Sequence, residues 1–355
     1  MPLLQSYAVW NNKGGVGKST LTFHMASRYA QTHPDHRVLV IDMCPQANAS
    51  MMFLGGGVQG EQHLIQMCAG TAPRTIVGYL GSVLGAGSGA PLPHPNQYLI
   101  HIADGNQAIP SNLYLMCGDG NLEPMVPAIN GVAAAQPLTV NANPWLWVHQ
   151  AIRNLILNLD CVDAAPWVVF IDTNPSFGVY TEIAVSAADR LIVPVNADDS
   201  SRIAASAMFV LLYGMNPPHP IYGNVTFAFK AQTSGLPRPL LHMIVGNRLT
   251  QYVGAATAFQ ALSDATADEL FQQFRIHPDR FTPRSVAINS VEEFRQQYSN
   301  PLRDFNTVGV VAAHNGLPLS ALQQRHYVVH GGNVRVNMRD VTLCQQALDQ
   351  VVATL

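Results

Sequence analysis

The chain has 355 residues, enough for two average domains or one large, elaborated one. At 48% hydrophobic it has ample material for a packed core, which excludes general disorder, while its 12% charged residues are about half the usual share. The net charge of −3 excludes a strong global pull toward nucleic acid, but the basic residues are unevenly placed.

In chain order, Tyr7-Ala8-Val9-Trp10 is a short apolar run, followed directly by Asn11-Asn12-Lys13-Gly14-Gly15-Val16-Gly17-Lys18-Ser19-Thr20. Leu21, Met25, Ala26 and Tyr29 then recur at helical spacing, so the pattern is strand, glycine-rich loop, helix. Arg37-Val38-Leu39-Val40-Ile41-Asp42 predicts a second buried strand, ending in a carboxylate. From residue 55 to about residue 143 the periodicity weakens into an insertion, with a glycine-rich link at 85–91 and one strand at 112–118. Residues 144–159 read as a helix and 165–172 as a strand ending in Asp172. Two more strands are predicted at 191–195 and 242–247. The longest apolar run, 203–215, is too short for a membrane span and predicts a buried helix, despite a mean hydropathy of +0.11. An amphipathic helix at about 340–355 closes the chain. It lacks the lysines and arginines of a membrane-binding face and is expected to pack on the core.

Continuous apolar strands alternating with helices predict an α/β fold, a mostly parallel twisted sheet with helices on both faces. A single domain spanning 1–355, with the insertion at 55–143, is the economical division. The first nine residues lack a basic stretch and a cleavage site, so a cytoplasmic chain without membrane attachment is expected. Cys44, Cys68, Cys117, Cys161 and Cys344 include no Cys-x-x-Cys pair, so a zinc ribbon or shared iron–sulfur cluster lacks its ligands.

The loop carries the chemistry. Glycines let successive backbone N–H groups converge on phosphates, and the following helix adds its positive dipole end. Lys18 is placed to pair with β- and γ-phosphates and the Ser19 hydroxyl to bind Mg²⁺. The general Gly-x-x-x-x-Gly-Lys-Ser/Thr pattern is altered at its start, where Lys13-Gly14 stands.

In that form Lys13-Gly14-Gly15-Val16-Gly17-Lys18-Ser19-Thr20 resembles the deviant Walker A motif of the ParA/MinD class of ATPases. Ile41-Asp42-Met43-Cys44-Pro45-Gln46-Ala47-Asn48 resembles their Asp-x-Asp-Pro-Gln-x-Asn switch segment. Phe170-Ile171-Asp172-Thr173-Asn174-Pro175-Ser176 resembles their Walker B segment, usually Asp-Thr-Pro-Pro-Ser, and 187–195 the strand after it. The likeness runs in order from residue 7 to about 211 and resumes at Asn247 and at 309–322.

The resemblance implies a P-loop ATPase, closest to ParA-like partition proteins, that dimerises around ATP and Mg²⁺ and works with a cargo adaptor. It implies that Lys13 crosses to the partner subunit's nucleotide, that Gly14, Gly15, Val16, Gly17, Lys18, Ser19 and Thr20 cradle the phosphates, and that Asp172 holds the Mg²⁺ shell with Asp42 beside it. Asn247 falls where relatives read adenine, and equally where a turn would use asparagine. The departure is Cys44, which stands where the family has the aspartate that positions attacking water. A thiol is a weak acceptor, and losing such a group typically costs on the order of 10²–10⁴ in rate. Either hydrolysis is strongly impaired or another group orients the water. Two readings follow: a cycling ATPase that partitions cargo such as plasmid or chromosomal DNA, or an ATP-locked dimeric scaffold that recruits a protein. Eight arginines against four acids between 275 and 339 offer a face for nonspecific DNA, with Arg325, Arg335 and Arg339 the chosen candidates.

Overall fold

The apolar runs lie side by side in one sheet. The computed structural model describes residues 3–137, 142–196, 198–215, 217–249 and 253–355, with backbone alone for 199, 247–249 and 253–263. Strands β1 (Leu3–Val9), β2 (Arg37–Asp42), β3 (Ile100–His101), β4 (Leu113–Met116), β5 (Trp167–Asp172), β6 (Arg190–Asn196), β7 (Leu240–Leu249) and β8 (Ser299–Arg303) are arranged in the order β3-β4-β2-β5-β1-β6-β7-β8. Every neighbour is parallel except β3 against β4. A hairpin of β9 (His326–Val329) and β10 (Gly332–Arg335) stands apart from this sheet.

The helices are α1 (Lys18–Thr32), α2 (Asn48–Phe53), α3 (Gly57–Cys68), α4 (Ile76–Ala86), α5 (Leu122–Ala133), α6 (Pro144–His149), α7 (Ala151–Leu157), α8 (Val179–Ala187), α9 (Asp199–Tyr213), α10 (Phe227–Thr233), α11 (Val253–Ile276), α12 (Val291–Tyr298), α13 (Asn306–His314) and α14 (Met338–Val352). One apolar core joins a face of the sheet to α1, α2, α13 and α14. The other joins the opposite face to α4, α5, α8 and α9. Burial on both faces is why the central strands are apolar at every position rather than at alternate ones.

Two expectations need adjustment. The segment 144–159 breaks at Gln150 into α6 and α7. The strand read at 112–118 is β4, which joins the sheet beside β2 from Val38↔Leu113 to Ile41↔Met116. The run 203–215 is helical as far as Tyr213, but it is not buried throughout: Ile203, Val210 and Met215 are exposed. The closing helix does pack on the core, burying Val341, Cys344, Leu348, Val351 and Val352 against the α1 side. Arg28 of α1 pairs with Asp349, and Arg303 of β8 with Asp340 at 2.9 Å. Among the described residues no helix is long and apolar enough to cross a membrane.

Candidate functional site

Three adjacent strands end at one place. Register pairs Asp42 of β2 with Asp172 of β5, and Asp172 with Val9 of β1, so the phosphate loop leaves the sheet beside both carboxylates. The loop, 11–17, enters α1 with Gly15 and Gly17 at φ 71° and 81°, a region that glycine enters without steric cost. A side chain added at Gly14 or Gly15 would meet no atom within 4 Å, so both stand open for a ligand to approach the backbone. Val16 turns inward and is fully buried. Asn11, also buried, fixes the loop from beneath: its Nδ2 donates to Pro194 O at 2.8 Å and its Oδ1 accepts from the Lys13 N–H at 3.0 Å.

Lys18 lies beneath the loop, 6% exposed, with Nζ donating to Asn11 O at 3.1 Å and Lys13 O at 2.9 Å. Burial lowers its pKa to about 8, against the pull of Asp172. Lys13 makes an ion pair with Asp198, the N-cap of α9. Burial alone would raise the Asp198 carboxyl. Its bonds to Lys13, Ser200 and Ser201 outweigh that and hold it at about 2.

The two carboxylates differ. Asp42 is saturated: Oδ1 accepts from the Cys44 N–H at 3.0 Å, and Oδ2 accepts from the Ser50 N–H at 2.9 Å and hydroxyl at 2.7 Å. The Ser50 oxygen accepts in turn from the Gly118 N–H, and a Cβ at Gly118 would sit 2.9 Å from Asp42 Cγ. Asp172 accepts from the Thr22 hydroxyl at 3.4 Å on Oδ1 and has the Ser19 hydroxyl beside it, while its buried Oδ2 has no partner among the described residues. Burial and the neighbouring Asp42 push Asp172 up to about 8. Asp42 thus ties residues 44 and 50 to the end of β2, while Asp172 and the Ser19 hydroxyl stand together at the end of β5.

Cys44 sits 4% exposed in the cleft wall. Its thiol is pushed up to about 12 by burial, with Asp42 and Asp172 adding to the effect, so it is a neutral SH at physiological pH. The cleft has a volume of about 810 Å³ and runs from Gly14, Gly15, Gly17, Lys18, Ser19 and Thr20 past Cys44 and Gln46 to Val58, His314 and His330. Asn247 lies in the backbone of β7, and its side chain is outside the described residues. Arg325, Arg335 and Arg339 are exposed and, among the described residues, make no ion pair. Arg335 lies opposite His326 across the hairpin, and the Val336 N–H reaches Arg325 O, so these two share its base.

Sequence reasoning missed Asn11, Ser50 and Asp198. Asp198 has a local signal, an aspartate three residues before Ser201 at the start of a helix. The bonds of Asn11 to Pro194 and of Ser50 to Asp42 and Gly118 have none, because the fold of the sheet brings those partners in.

A parallel sheet with this loop between its central strand and first helix defines a P-loop nucleotide-binding protein. Known proteins narrow the class. Residues 5–211 match the AAA domain family. The chromosome partitioning protein ParA of Myxococcus xanthus is 28% identical over 190 residues, 53% of this chain and 50% of that protein. The chromosome-partitioning ATPase Soj of Thermus thermophilus is 24% identical over 230 residues, 64% of this chain and 70% of that protein. The chain thus spans half of the Myxococcus protein. In fold it resembles an aspartate-to-alanine variant of McdA from Cyanothece in complex with ATP (TM-score 0.57, 15% identity, 98% of this chain and 96% of that one). It also resembles a Borrelia burgdorferi protein described as a plasmid partition protein, bound to AMPPNP (TM-score 0.52, 14% identity, 99% of each chain). The chain belongs to the AAA domain family, and its fold is that of ParA-like P-loop proteins.

Proposed function

We propose that this protein is an ATP-dependent dimerising switch that partitions or positions a cargo, most simply plasmid or chromosomal DNA, in the cytoplasm. The observation that carries the reading is the signature Lys13 held by Asp198 at the mouth of a phosphate loop whose Gly14 and Gly15 are open to a ligand. Lys18 exchanges the loop's own carbonyls for β- and γ-phosphate oxygens, and the α1 N-terminus faces the same charge. Lys13 leaves Asp198 and reaches the nucleotide of a second copy. The donor set suits hydrated Mg²⁺, since Asp172 Oδ2 is buried without a partner among the described residues and the Ser19 hydroxyl stands beside that carboxylate. When bound, the ion neutralises charge between phosphate oxygens. Arg325, Arg335 and Arg339 supply phosphate contacts to DNA without reading its sequence.

Cys44 favours a second reading of the same site. A neutral thiol holds water in line poorly, so the ATP-bound dimer is long-lived and acts as a scaffold for a protein partner. The test measures ATP hydrolysis and ATP-dependent dimerisation, with and without DNA, for the wild type, Cys44→Asp and Lys18→Ala. Wild type should dimerise with ATP, and Lys18→Ala should not. Cys44→Asp should raise turnover by about 10²-fold or more if the thiol is the block. Rapid, DNA-stimulated hydrolysis by the wild type sinks the scaffold reading. Absence of ATP-driven dimerisation sinks both.

A further inference from the structure

The β9–β10 hairpin differs in charge from the rest of the chain. From residue 305 to residue 339 there is neither aspartate nor glutamate, while three arginines and three histidines fall in that stretch. Of the acids that bound it, Asp304 accepts from the Asn306 N–H at 2.9 Å, and Asp340 is paired with Arg303 at 2.9 Å. Arg325 and Arg335, at the base of the hairpin, are exposed, and Arg325 is held over the Tyr327 ring at 4.7 Å. Guanidinium groups on a surface without carboxylates favour a polyanion.

The hairpin is also a ribbon with two unlike faces. Alternation sends Tyr327, Val329 and Val334 onto the core, with Tyr327 3% exposed, and leaves His326, Val328, Asn333 and Arg335 outward. Register sets Arg335 opposite His326, and Asn333 opposite Val328, which is 58% exposed. Such cross-strand partners share a face, with Cβ atoms about 5 Å apart. The turn between the strands, His330-Gly331, has positive φ at both residues, 46° and 79°, the form that suits the twist of paired strands. The back of the ribbon rests on the protein and its front is open.

A two-stranded ribbon fits the major groove of duplex DNA, which is about 12 Å wide. There adenine presents N7 and its N6 amino group, which one asparagine amide meets with two hydrogen bonds. The paired thymine presents a methyl group, which takes an apolar side chain. We infer that the outward face of β9–β10 lies in the major groove, where Asn333 and Val328 read an A·T base pair while Arg325 and Arg335 hold the flanking phosphates. That role rests on the reading of the chain as a switch that positions DNA, and adds a base preference to phosphate contacts that have none.

The test follows the fluorescence anisotropy of two short labelled duplexes, one of alternating A·T pairs and one of alternating G·C pairs. Each is titrated with the full chain in ATP and Mg²⁺ at one salt concentration. The wild type should bind the A·T duplex about tenfold more tightly. Asn333→Ala should remove that difference, and so should 7-deazaadenine, which lacks N7, with the wild type. Uracil in place of thymine, which lacks the methyl group, should weaken the wild type more than Val328→Ala. Arg335→Ala should weaken both duplexes alike and flatten the dependence on salt. All three side chains are exposed, and unchanged melting curves verify the fold of each variant. A wild type without preference overturns the proposal. So does a preference that survives Asn333→Ala or 7-deazaadenine, or adhesion to phosphatidylcholine–phosphatidylglycerol vesicles in place of DNA. Equal binding of both duplexes, weakened by Arg335→Ala, removes the groove contact and keeps the DNA reading. Binding of neither duplex removes both.

Discussion

The ends of β2 and β5 carry the same side chain in the same register, yet their surroundings are opposite. Asp42 is ringed by three donors from Cys44 and Ser50, whereas Asp172 has a buried oxygen with no partner among the described residues. Burial raises both carboxyls; the bonds from Cys44 and Ser50 oppose the rise at Asp42, whereas at Asp172 the neighbouring Asp42 adds to it. Asp42 is held by its own chain on both oxygens. Asp172 keeps one buried oxygen that no described residue engages.

Removal should separate the pair most sharply. Asp42→Ala leaves two N–H groups and a hydroxyl buried without an acceptor, and should cost about 3 kcal/mol or more in urea unfolding. An Asp42→Ala chain of wild-type stability breaks the comparison. Asp172→Asn should leave the fold intact and remove the Mg²⁺ dependence of fluorescent ATP binding. It should also change the response to pH. Because the folded pKa of Asp172 is raised from 3.8 to about 8, its contribution to the nucleotide-free chain is full below pH 3.8 and is lost as pH rises toward 8. Melting temperatures over that range should therefore vary less in Asp172→Asn than in the wild type. Ser50→Ala removes one charge-assisted bond and the acceptor of Gly118, for about 2 kcal/mol, and tests whether the clamp extends beyond Asp42 itself. Asp198→Asn should have the smallest effect on stability, about 1 kcal/mol or less for a partly exposed pair. It releases Lys13, so ATP-driven dimerisation followed by light scattering should be faster. Unchanged dimerisation would mean that the Lys13–Asp198 pair restrains nothing.

The central strands were legible in the sequence because burial on both faces demands unbroken apolar runs, as in Val168-Val169-Phe170-Ile171. Strand β8 was not. It reads Ser-Asn-Pro-Leu-Arg, and Pro301 is tolerated there because β8 lies at the edge of the sheet. The phosphate loop was legible because its function is local to ten residues. The partner of Lys13 was not, since Asp198 arrives only through the pairing of β1 with β6, Val9↔Ile192. For the same reason the saturation of Asp42 was hidden: it depends on Ser50 from α2 and Gly118 from beyond β4. Helix α9 misled in another way, because an apolar run says nothing about whether its outward face has a cover.

One small junction has a larger consequence. Gly55, Gly56 and Gly57, which follow α2 and its switch segment, all have positive φ, and a Cβ at Gly56 would stand 2.4 Å from the Gly316 nitrogen just beyond α13. Main chain touches main chain there, with no side chain to act as a cushion. The α2–α3 corner and the segment leading to the β9–β10 hairpin are thus meshed like gear teeth. If residues 44–57 shift, this contact obliges the segment before the hairpin to move with them or to part from them.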